Sequence, residues 1–324
     1  MENKIKTIGV LTSGGDAPGM NAAIRAVVRA AISRGYAVKG VRHGYNGLMT
    51  GDIIDMILRS VSEIIHRGGT ILYTARCLEF KTLEGQQKGA QMCREHGIDA
   101  LVVIGGDGSF CGARALSAQG IPCIGIPGTI DNDIACSDYT IGYDTAMNTA
   151  VEMIDKLRDT TQSHDRCSVV EVMGRNAGYI ALNTGIAVGA LCTLIPEVPY
   201  DLERDVISRM TKTQKTGKRH FIILIAEGVG HAGDLANEIQ SRTGIDSRAT
   251  VLGHVQRGGS PSLRDRVTAS LMGYHAVDLI DKGIFNRVVA TRAESIVDYD
   301  VNTALSMHKT IDTSLLDVAA AISI

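Results

Sequence analysis

The chain has 324 residues, of which 44% are hydrophobic and 21% charged, and its formal net charge is −2. This length favours two domains over one, and the hydrophobic fraction supports packed cores. The balanced charge argues against a general nucleic-acid binder, which would carry a clustered basic excess. No apolar run approaches the roughly 20 residues that span a bilayer, and the polar N-terminus is unlike a signal peptide, so we expect a cytoplasmic protein without membrane partners.

Apolar, strand-like segments alternate with helical patterns along the chain, which is typical of parallel α/β sheets. Residues 21–33 and 147–157 carry apolar side chains at helical spacing. No repeat or proline-rich linker separates two domains, so we expect a helix to cross between them near residues 142–148. The predicted strands are residues 7–11, 38–41, 100–104, 123–126, 168–172 and 221–226.

Seven cysteines are scattered singly along the chain, without a C-x-x-C pair. Their odd number and spacing are unlike a disulfide framework or a zinc site and fit a reducing compartment. Cys123 and Cys167 lie in strand-like segments, which predicts that both are core residues. With no Trp and 4% aromatic residues, the chain offers few stacking surfaces, so recognition should depend on polar and charged contacts.

Three glycine-rich turns follow predicted strands, at residues 12–21, 105–109 and 127–133. Their glycines allow backbone amides to approach a phosphate, and Asp107 in the second turn is suited to a metal ion. The first turn matches neither the Walker A spacing nor the dinucleotide-binding pattern. Taken singly, each turn is more often a structural turn or a helix cap than a site.

Glycine-rich turns after consecutive parallel strands favour a functional site more strongly than a single turn does, because the carboxyl ends of such strands meet at one edge of the sheet. We therefore expect the carboxylates of the second and third turns to converge. An extended backbone would place Asp131 and Asp133 on one side and Asn132 on the other. The combination predicts chemistry on a phosphate, with one carboxylate acting as a base and another handling Mg²⁺.

Five blocks occur in order along the chain: LTSGGDAPGMNAAIR at 11–25, GGDGS at 105–109, PGTIDND at 127–133, EVMGR at 171–175 and LGHVQRGGSP at 252–261. Together they resemble the bacterial ATP-dependent 6-phosphofructokinase family over residues 5 to 273. The GGDG element alone is also similar to one in NAD kinases and diacylglycerol kinases. Five blocks in this order are much more specific for the 6-phosphofructokinase family than the GGDG element alone.

The resemblance implies a glycolytic reaction in which ATP, with Mg²⁺, phosphorylates fructose 6-phosphate at its 1-hydroxyl. It implies a homotetramer whose subunit has two Rossmann-like α/β/α lobes with mainly parallel sheets and an active site in the cleft between them. Residues 1–142 and 256–309 would form the lobe for ATP and Mg²⁺. Residues 143–255 and 310–324 would form the lobe for fructose 6-phosphate.

The resemblance also assigns roles to residues. Asp131 is the general base that takes the proton from the sugar hydroxyl, and the groups that position and neutralise the phosphoryl are Thr129, Arg76 and Arg175. Asp107 lies near Mg²⁺, with Asp133 as a supporting metal or network residue. The expected ATP contacts are Gly15, Tyr45, Arg76, Cys77, Gly106, Asp107, Gly108 and Ser109.

The expected contacts of fructose 6-phosphate are Thr129, Asp131, Arg166, Met173, Gly174, Arg175, Glu227, Arg248, His254 and Arg257. By family precedent Arg166 and Arg248 reach in from a neighbouring subunit. Without the motif context, Arg166 would be interpreted as a solvated helix-end residue and His254 as a structural hydrogen-bonder. Glu227 closes an apolar strand, where a buried unpaired acid is costly, so we expect a hydroxyl-rich ligand or partner for it.

Two glycines favour ATP as the donor. Pyrophosphate-dependent relatives carry a bulkier acidic residue at the position of Gly108 and a lysine at that of Gly128. Glycine at both positions leaves room for a nucleotide.

Bacterial members of the family commonly bind ADP or phosphoenolpyruvate at an effector site between subunits. Some of the basic residues that form this site in relatives are present here. For Arg25 and Arg29, which lie one helical turn apart, a solvated helix face is also an explanation. Leu58, Leu191 and Thr216 stand where relatives usually have an arginine, a metal-binding glutamate and a basic residue, which predicts weak or altered regulation. The remaining effector candidates are Arg25, Arg29, Arg158, Lys218, Arg219 and His220.

Two alternatives compete with this interpretation. Another kinase of the GGDG type, acting on NAD or a lipid, should lack the sugar-phosphate arginines and the PGTIDND turn. A non-catalytic sugar-phosphate sensor that kept the fold should lack Asp131 or Asp107. The arginines, the PGTIDND turn, Asp107 and Asp131 are all present, which argues against both alternatives.

Overall fold

In the computed structural model, which describes residues 5–323, the chain divides into two compact units. Unit 1 consists of Met1–Ile130, Ile134–Thr145 and Arg257–Lys309, and unit 2 of Asp131–Asp133, Ala146–Gln256 and Thr310–Ile324. One division falls inside a long helix, between Thr145 and Ala146. Which ligand each unit binds stays a prediction.

The described strands are β1 (Thr7–Thr12), β2 (Ala37–Val41), β3 (Ile53–Met56), β4 (Ala100–Gly105), β5 (Cys123–Pro127), β6 (Cys167–Val172), β7 (Cys192–Leu194), β8 (Phe221–Ala226), β9 (Ser247–Val251), β10 (Arg287–Arg292) and β11 (Ser295–Asp300). The described α-helices are α1 (Met20–Ser33), α2 (Gly44–Thr50), α3 (Leu83–Glu95), α4 (Asp107–Ala118), α5 (Tyr143–Ser163), α6 (Tyr179–Ala187), α7 (Ser208–Gln214), α8 (Ala232–Thr243), α9 (Leu263–Asp281), α10 (Val301–Ser306) and α11 (Ser314–Ile322).

Unit 1 contains a seven-stranded sheet in the order β11-β10-β5-β4-β1-β2-β3. Its strands from β10 to β2 are parallel neighbours, and the edge strands β3 and β11 are antiparallel. The prediction of an α/β protein with mainly parallel sheets is therefore confirmed. Because β1, β4 and β5 are adjacent and parallel, the three glycine-rich turns that follow them lie at one edge of the sheet.

Unit 2 contains a four-stranded parallel sheet in the order β7-β8-β6-β9. Every residue of β8 is buried, which explains its continuous apolar sequence. Val172 pairs with Ala226 at the ends of β6 and β8, so the residues that follow, Met173 and Glu227, leave the same edge of this sheet.

All six predicted strands are present, with ends within one residue of the prediction. The predicted helix at 21–33 is α1, and the one at 147–157 is the centre of the longer α5. The pattern missed β3, β7, β9, β10 and β11. Three of these, β3, β9 and β11, are half-exposed and carry polar residues, so they lack the apolar run that marked the other strands.

All seven cysteines are free, and Cys123 and Cys167 are buried core residues as predicted. Burial raises the pKa of the Cys167 and Cys192 thiols to about 12, so these thiols stay protonated and unreactive. No helix within residues 5–323 is long and apolar enough to cross a membrane.

Candidate active site

The first two glycine-rich turns are in direct contact in unit 1. The Ser13 amide donates to the Ile104 carbonyl (2.9 Å), and the Ser109 hydroxyl donates to the Ser13 carbonyl (3.1 Å). A Cβ on Gly105 would lie 2.4 Å from both the Ser13 carbonyl oxygen and Ser109 Oγ, so only glycine allows this approach. The two phosphate-binding candidates therefore form one surface.

The second turn ends at the N-terminus of the 12-residue helix α4, where Asp107 and Gly108 occupy the first turn. Free backbone amides and the helix dipole make such a terminus attractive to phosphate. Apart from its two chain neighbours and the α4 backbone, no described atom lies within 4 Å of the position that a Cβ on Gly108 would take. The space beside Gly108 is thus open.

The third turn joins the other two. The Gly128 amide donates to the Gly105 carbonyl (2.9 Å), which links the two turns directly. A Cβ on Gly128 would lie 3.1 Å from Ile104 and 3.2 Å from Met20, so this glycine packs closely inside unit 1. The turns therefore meet at one edge of the sheet as expected, and the convergence of their carboxylates stays a prediction.

The geometry expected within the third turn is wrong. Asn132 has a φ of +53°, so the backbone is not extended there and the simple alternation of side chains fails. Asp131 and Asn132 are both buried, at 7% and 4% exposure, whereas Asp133 is half-buried. The residues Asp131–Asp133 group with unit 2, while the chain on either side groups with unit 1.

Tyr45, expected beside the nucleotide, lies beneath α4. It is 4% exposed, its hydroxyl donates to the Ser109 carbonyl (2.6 Å), and its ring stacks on Phe80 with centroids 4.2 Å apart. Burial raises the Tyr45 pKa well above its usual value, so the phenol remains a donor. In this structure Tyr45 supports the turn that is expected to hold the phosphates.

The segment that carries Arg76 and Cys77 is held against the first turn. The Thr74 hydroxyl donates to the Gly14 carbonyl (2.8 Å), two residues before the exposed Arg76. Cys77 is half-buried and packs on the hydrophobic cluster that contains Tyr45. Arg76 therefore has a fixed attachment point and a side chain open to solvent.

Arg257 belongs to unit 1 and lies beside the first turn. Its guanidinium occupies the space that a Cβ on Gly15 would need, and its Nη1 is 4.0 Å from Asp16 Oδ1. A side chain at position 15 would force this guanidinium to move. The expected sugar-phosphate ligand thus sits next to an expected ATP residue.

In unit 2, three successive backbone amides after β6 donate to side chains. The Met173 amide donates to Gln256 Oε1 (3.0 Å), and the amides of Gly174 (3.2 Å) and Arg175 (2.5 Å) donate to Glu227 Oε1. Arg175 has a φ of +60°, a conformation that costs a non-glycine residue energy and requires support of this kind. The two side chains hold Arg175 in place.

This arrangement corrects one expectation. Glu227 is exposed, so it is not the buried acid that the sequence suggested, and the partners of its Oε1 are backbone amides. Gln256, by contrast, is fully buried and was not predicted as a site residue, although it lies within the block at 252–261. Its neighbour His254 is exposed in the short turn Gly253–Arg257.

Arg166 and Arg248 share one carboxylate in unit 2. Asp246 accepts from Arg166 Nε at Oδ2 (2.6 Å), and its Oδ1 forms an ion pair with Arg248 Nε (3.0 Å). The hydrogen bond from Arg166 is the main reason that the pKa of Asp246 is lowered. The structure brings together two of the expected sugar-phosphate ligands, and Asp246, which was not predicted, joins them.

The effector candidates lie in both units. Arg25 and Arg29 are on α1 of unit 1, whereas Arg158 lies on α5 within unit 2. Burial, followed by repulsion from Arg158, lowers the pKa of Lys218, and the pKa of His220 is lowered by burial and by both cations. Part of the set is thus a basic cluster within unit 2.

Leu58, Leu191 and Thr216, which stand where relatives have charged or metal-binding residues, have different surroundings. Leu191 is 1% exposed in the core of unit 2, Leu58 is 48% exposed, and the Thr216 hydroxyl donates to the Thr213 carbonyl (2.7 Å). Arg219 is exposed, with Asp165 at 3.6 Å. Leu191 and Thr216 are thus engaged in packing or local hydrogen bonding.

Residues 5–323 contain no group of three or more His, Cys, Asp or Glu side chains arranged to hold a metal ion. Mg²⁺ is usually bound by one or two carboxylates together with substrate phosphates, so it needs no such cage. Asp107, in the first turn of α4, fits this mode of binding.

Comparison with known proteins gives consistent results. The family model "Phosphofructokinase" matches residues 7–280. An ATP-dependent 6-phosphofructokinase from Halalkalibacterium halodurans is 55% identical over 320 residues, which cover 99% of this chain and 100% of the relative. Phosphofructokinase from Saccharomyces cerevisiae has a similar structure, with a TM-score of 0.89 and 35% identity over 98% of this chain.

The chain spans 48% of that yeast chain. A pyrophosphate-dependent phosphofructokinase from Marinobacter aquaeolei has a TM-score of 0.86 at 24% identity, covering 96% of this chain and 86% of that chain. At this identity the likeness concerns the fold alone.

Proposed function

The chain belongs to the phosphofructokinase family, and from that premise we propose that Asp131 is the general base in its ATP-dependent phosphorylation of fructose 6-phosphate. The reaction forms fructose 1,6-bisphosphate and ADP in glycolysis, and we place it in the cytoplasm. The observation that carries the proposal is the direct link between the GGDG and PGTIDND turns, through the hydrogen bond from Gly128 to Gly105.

The ATP phosphates bind at the glycine-rich turns of unit 1. Amides at the N-terminus of α4 and the exposed Arg76 supply hydrogen bonds and positive charge. Asp107, with Asp133 in support, holds Mg²⁺, which neutralises charge on the phosphates when it is bound. The open space at Gly108 accommodates the nucleotide.

The proton of the sugar 1-hydroxyl moves to Asp131. An alcohol does not ionise at neutral pH, so a carboxylate within hydrogen-bond reach lowers the barrier to attack. Thr129 lies in the same turn, and Arg175 is held in its strained conformation by Glu227. Together with Arg76, these groups position and stabilise the transferring phosphoryl.

The sugar phosphate binds to a cluster of cations completed by a homotetramer. Arg166 and Arg248 are preorganised by Asp246, and in our proposal they serve the site of a neighbouring subunit. His254 and Arg257 contact the same phosphate, while Met173, Gly174 and Glu227 contact the sugar. A phosphate bound to two arginines gains charge-assisted hydrogen bonds.

A coupled assay of the purified protein tests the function directly. We expect ATP-dependent formation of fructose 1,6-bisphosphate that requires Mg²⁺ and stops when the metal is chelated. Phosphorylation of NAD or a lipid, but not of fructose 6-phosphate, would overturn the proposal. Binding of the sugar phosphate without turnover would identify a sensor.

Replacing Gly108 with Asp should raise the KM for ATP about tenfold, because a carboxylate at the N-terminus of α4 repels the phosphates. The KM for fructose 6-phosphate should change little. Steady-state kinetics with each substrate varied in turn measures both. We do not combine Gly108→Asp with Gly128→Lys, because even the Cβ of that lysine would press on Ile104 and Met20.

Ala118→Asp is the matched control for Gly108→Asp, because it places the same charge at the exposed far end of α4. We expect it to leave the KM for ATP unchanged. An equal rise in both variants, or in neither, would contradict a nucleotide site at Gly108.

Phosphoenolpyruvate and ADP should regulate this enzyme weakly. A ligand shifts a conformational equilibrium only by its difference in affinity between states, and the charged contacts expected at Leu58, Leu191 and Thr216 are missing. We expect millimolar effector to shift the half-saturating concentration of fructose 6-phosphate by less than about fivefold. Substrate titrations at saturating ATP measure the shift, and about tenfold or more would show that other groups have rebuilt the site.

A further inference from the structure

Asp265, at the start of α9 in unit 1, has a fully buried carboxylate. Its Oδ1 accepts from the Tyr139 hydroxyl (2.5 Å) and the Gly142 amide (2.7 Å). Its Oδ2 accepts from the Thr145 amide (2.9 Å) and from the Thr145 hydroxyl. One side chain therefore receives four hydrogen bonds from a segment of seven residues.

Burying a carboxylate is costly, so four donors at one such group indicate a specific role. Burial raises the pKa of Asp265 even though all four hydrogen bonds act to lower it. The amide of Thr145 belongs to the first turn of α5, a 21-residue helix whose N-terminus favours a negative group. Asp265 thus anchors the beginning of α5.

Two of the donor residues, Tyr139 and Gly142, lie in the loop that carries Thr129 and Asp131, and the third, Thr145, follows it. This loop, residues 128–142, is closed at its neck by the bridge between Gly128 and Ile141 and by the hydrogen bond from the Ile141 amide to the Pro127 carbonyl (3.0 Å). Inside the neck, the Thr140 hydroxyl donates to the Thr129 carbonyl (2.6 Å). Position 142 comes directly after the neck, where the chain meets Asp265.

Position 142 has little freedom of its own. Gly142 has a φ of +102°, and a Cβ there would lie 2.7 Å from the Cβ of Ala17. The returning arm of the loop is therefore held by close packing against the first glycine-rich turn and by the Asp265 carboxylate. Loss of either contact would release the neck that positions Thr129.

We propose that Asp265 is a positioning residue for phosphoryl transfer, which fixes the loop carrying Thr129 and Asp131 in one conformation. It acts through the Gly142 amide and Thr145 and does not touch substrate. The inference rests on the proposed function, since it assigns Asp131 as the base that the loop presents. A general base must lie within hydrogen-bond reach of its proton, so a loosened loop lowers turnover more than binding.

Asp298 provides a matched control. Unlike the fully buried Asp265, it is a partly buried carboxylate of unit 1, with its side chain 18% exposed, and it accepts from Arg287 Nε (2.5 Å) and lies 3.0 Å from His275 Nε2. Both partners lie outside the loop. Asp298→Asn should therefore weaken the fold without affecting the loop.

The test compares Asp265→Asn with Asp298→Asn in the full-length enzyme. We expect Asp265→Asn to lower kcat about tenfold while both KM values change less than about threefold. Hydrogen exchange of the amides at 141–145 should accelerate in this variant alone. Denaturant unfolding separates these effects from a general loss of stability.

If Asp265→Asn fails to fold, two conservative variants at Thr145 test the same proposal. Thr145→Ser keeps the hydroxyl that donates to Asp265 and should retain turnover, whereas the near-isosteric Thr145→Val should lose kcat and loop protection. Equal kcat values for Asp265→Asn and Asp298→Asn, or equal values for the Thr145 pair, would overturn the proposal. Unchanged hydrogen exchange of the amides at 141–145 in Asp265→Asn would also overturn the proposal. This measurement tests the role of Asp265 even if the wild type lacks kinase activity and the proposed function fails.

Discussion

Asp131→Asn is expected to lower turnover by on the order of 10²-fold or more while fructose 6-phosphate binding changes little. The amide has nearly the size of the carboxylate but does not accept the proton of the sugar hydroxyl. Because Asp131 is only 7% exposed, water has limited access to replace it as the base. Rapid-quench kinetics at saturating ATP measures the chemical step, and equilibrium titration measures the binding.

Asp138→Asn is the control on the same loop. Asp138 accepts from Arg292 Nη1 (2.5 Å) and from the Ala293 amide (3.0 Å), contacts that stabilise the structure away from the proposed reacting groups. We expect its turnover to stay within about threefold of the wild type. Near-normal turnover of Asp131→Asn, or equal losses in both variants, would refute the general-base assignment.

Mixing two inactive chains should restore activity if Arg166 serves a neighbouring subunit. Arg166→Ala removes the donated arginine and Asp131→Ala removes the base, and each parent should retain less than about 1% of wild-type turnover. In randomly mixed tetramers, about one quarter of the sites combine an intact base with an intact arginine. Co-expressed chains with different tags, purified in tandem, isolate the mixed assemblies for assay.

A second mixture, of Asp131→Ala with Arg175→Ala, is the matched control for this experiment. Arg175 is proposed to act in its own subunit's site, so every site in that mixture keeps one defect and activity should stay at the parental level. Failure of the Arg166 mixture to recover, once tandem purification has isolated mixed assemblies and light scattering has shown that they are tetramers, would place Arg166 in its own subunit's site or outside any site. Recovery in both mixtures would contradict the assignment of Arg175.

The repeating features of the fold were predictable because they are local. The buried strands of both sheets read as continuous apolar runs, and the amphipathic period of α1 identified that helix. Strands such as β3 and β9 were missed because half-exposed strands mix polar and apolar residues without a clear pattern. The positive φ of Asn132 was also missed, since no glycine marks the turn there.

The sequence by itself determined the α/β class, the order of the glycine-rich turns and the residue types in them, because strand periodicity and turn chemistry depend on neighbours along the chain. Parallel topology then required those turns to share one edge. Only the tertiary structure decided which groups hold the site residues in place: Asp246 at Arg166, Gln256 at Met173 and Asp265 at Tyr139. These partners are 80, 83 and 126 residues apart in sequence. Contacts over such separations arise from packing of whole elements, and no local pattern encodes them.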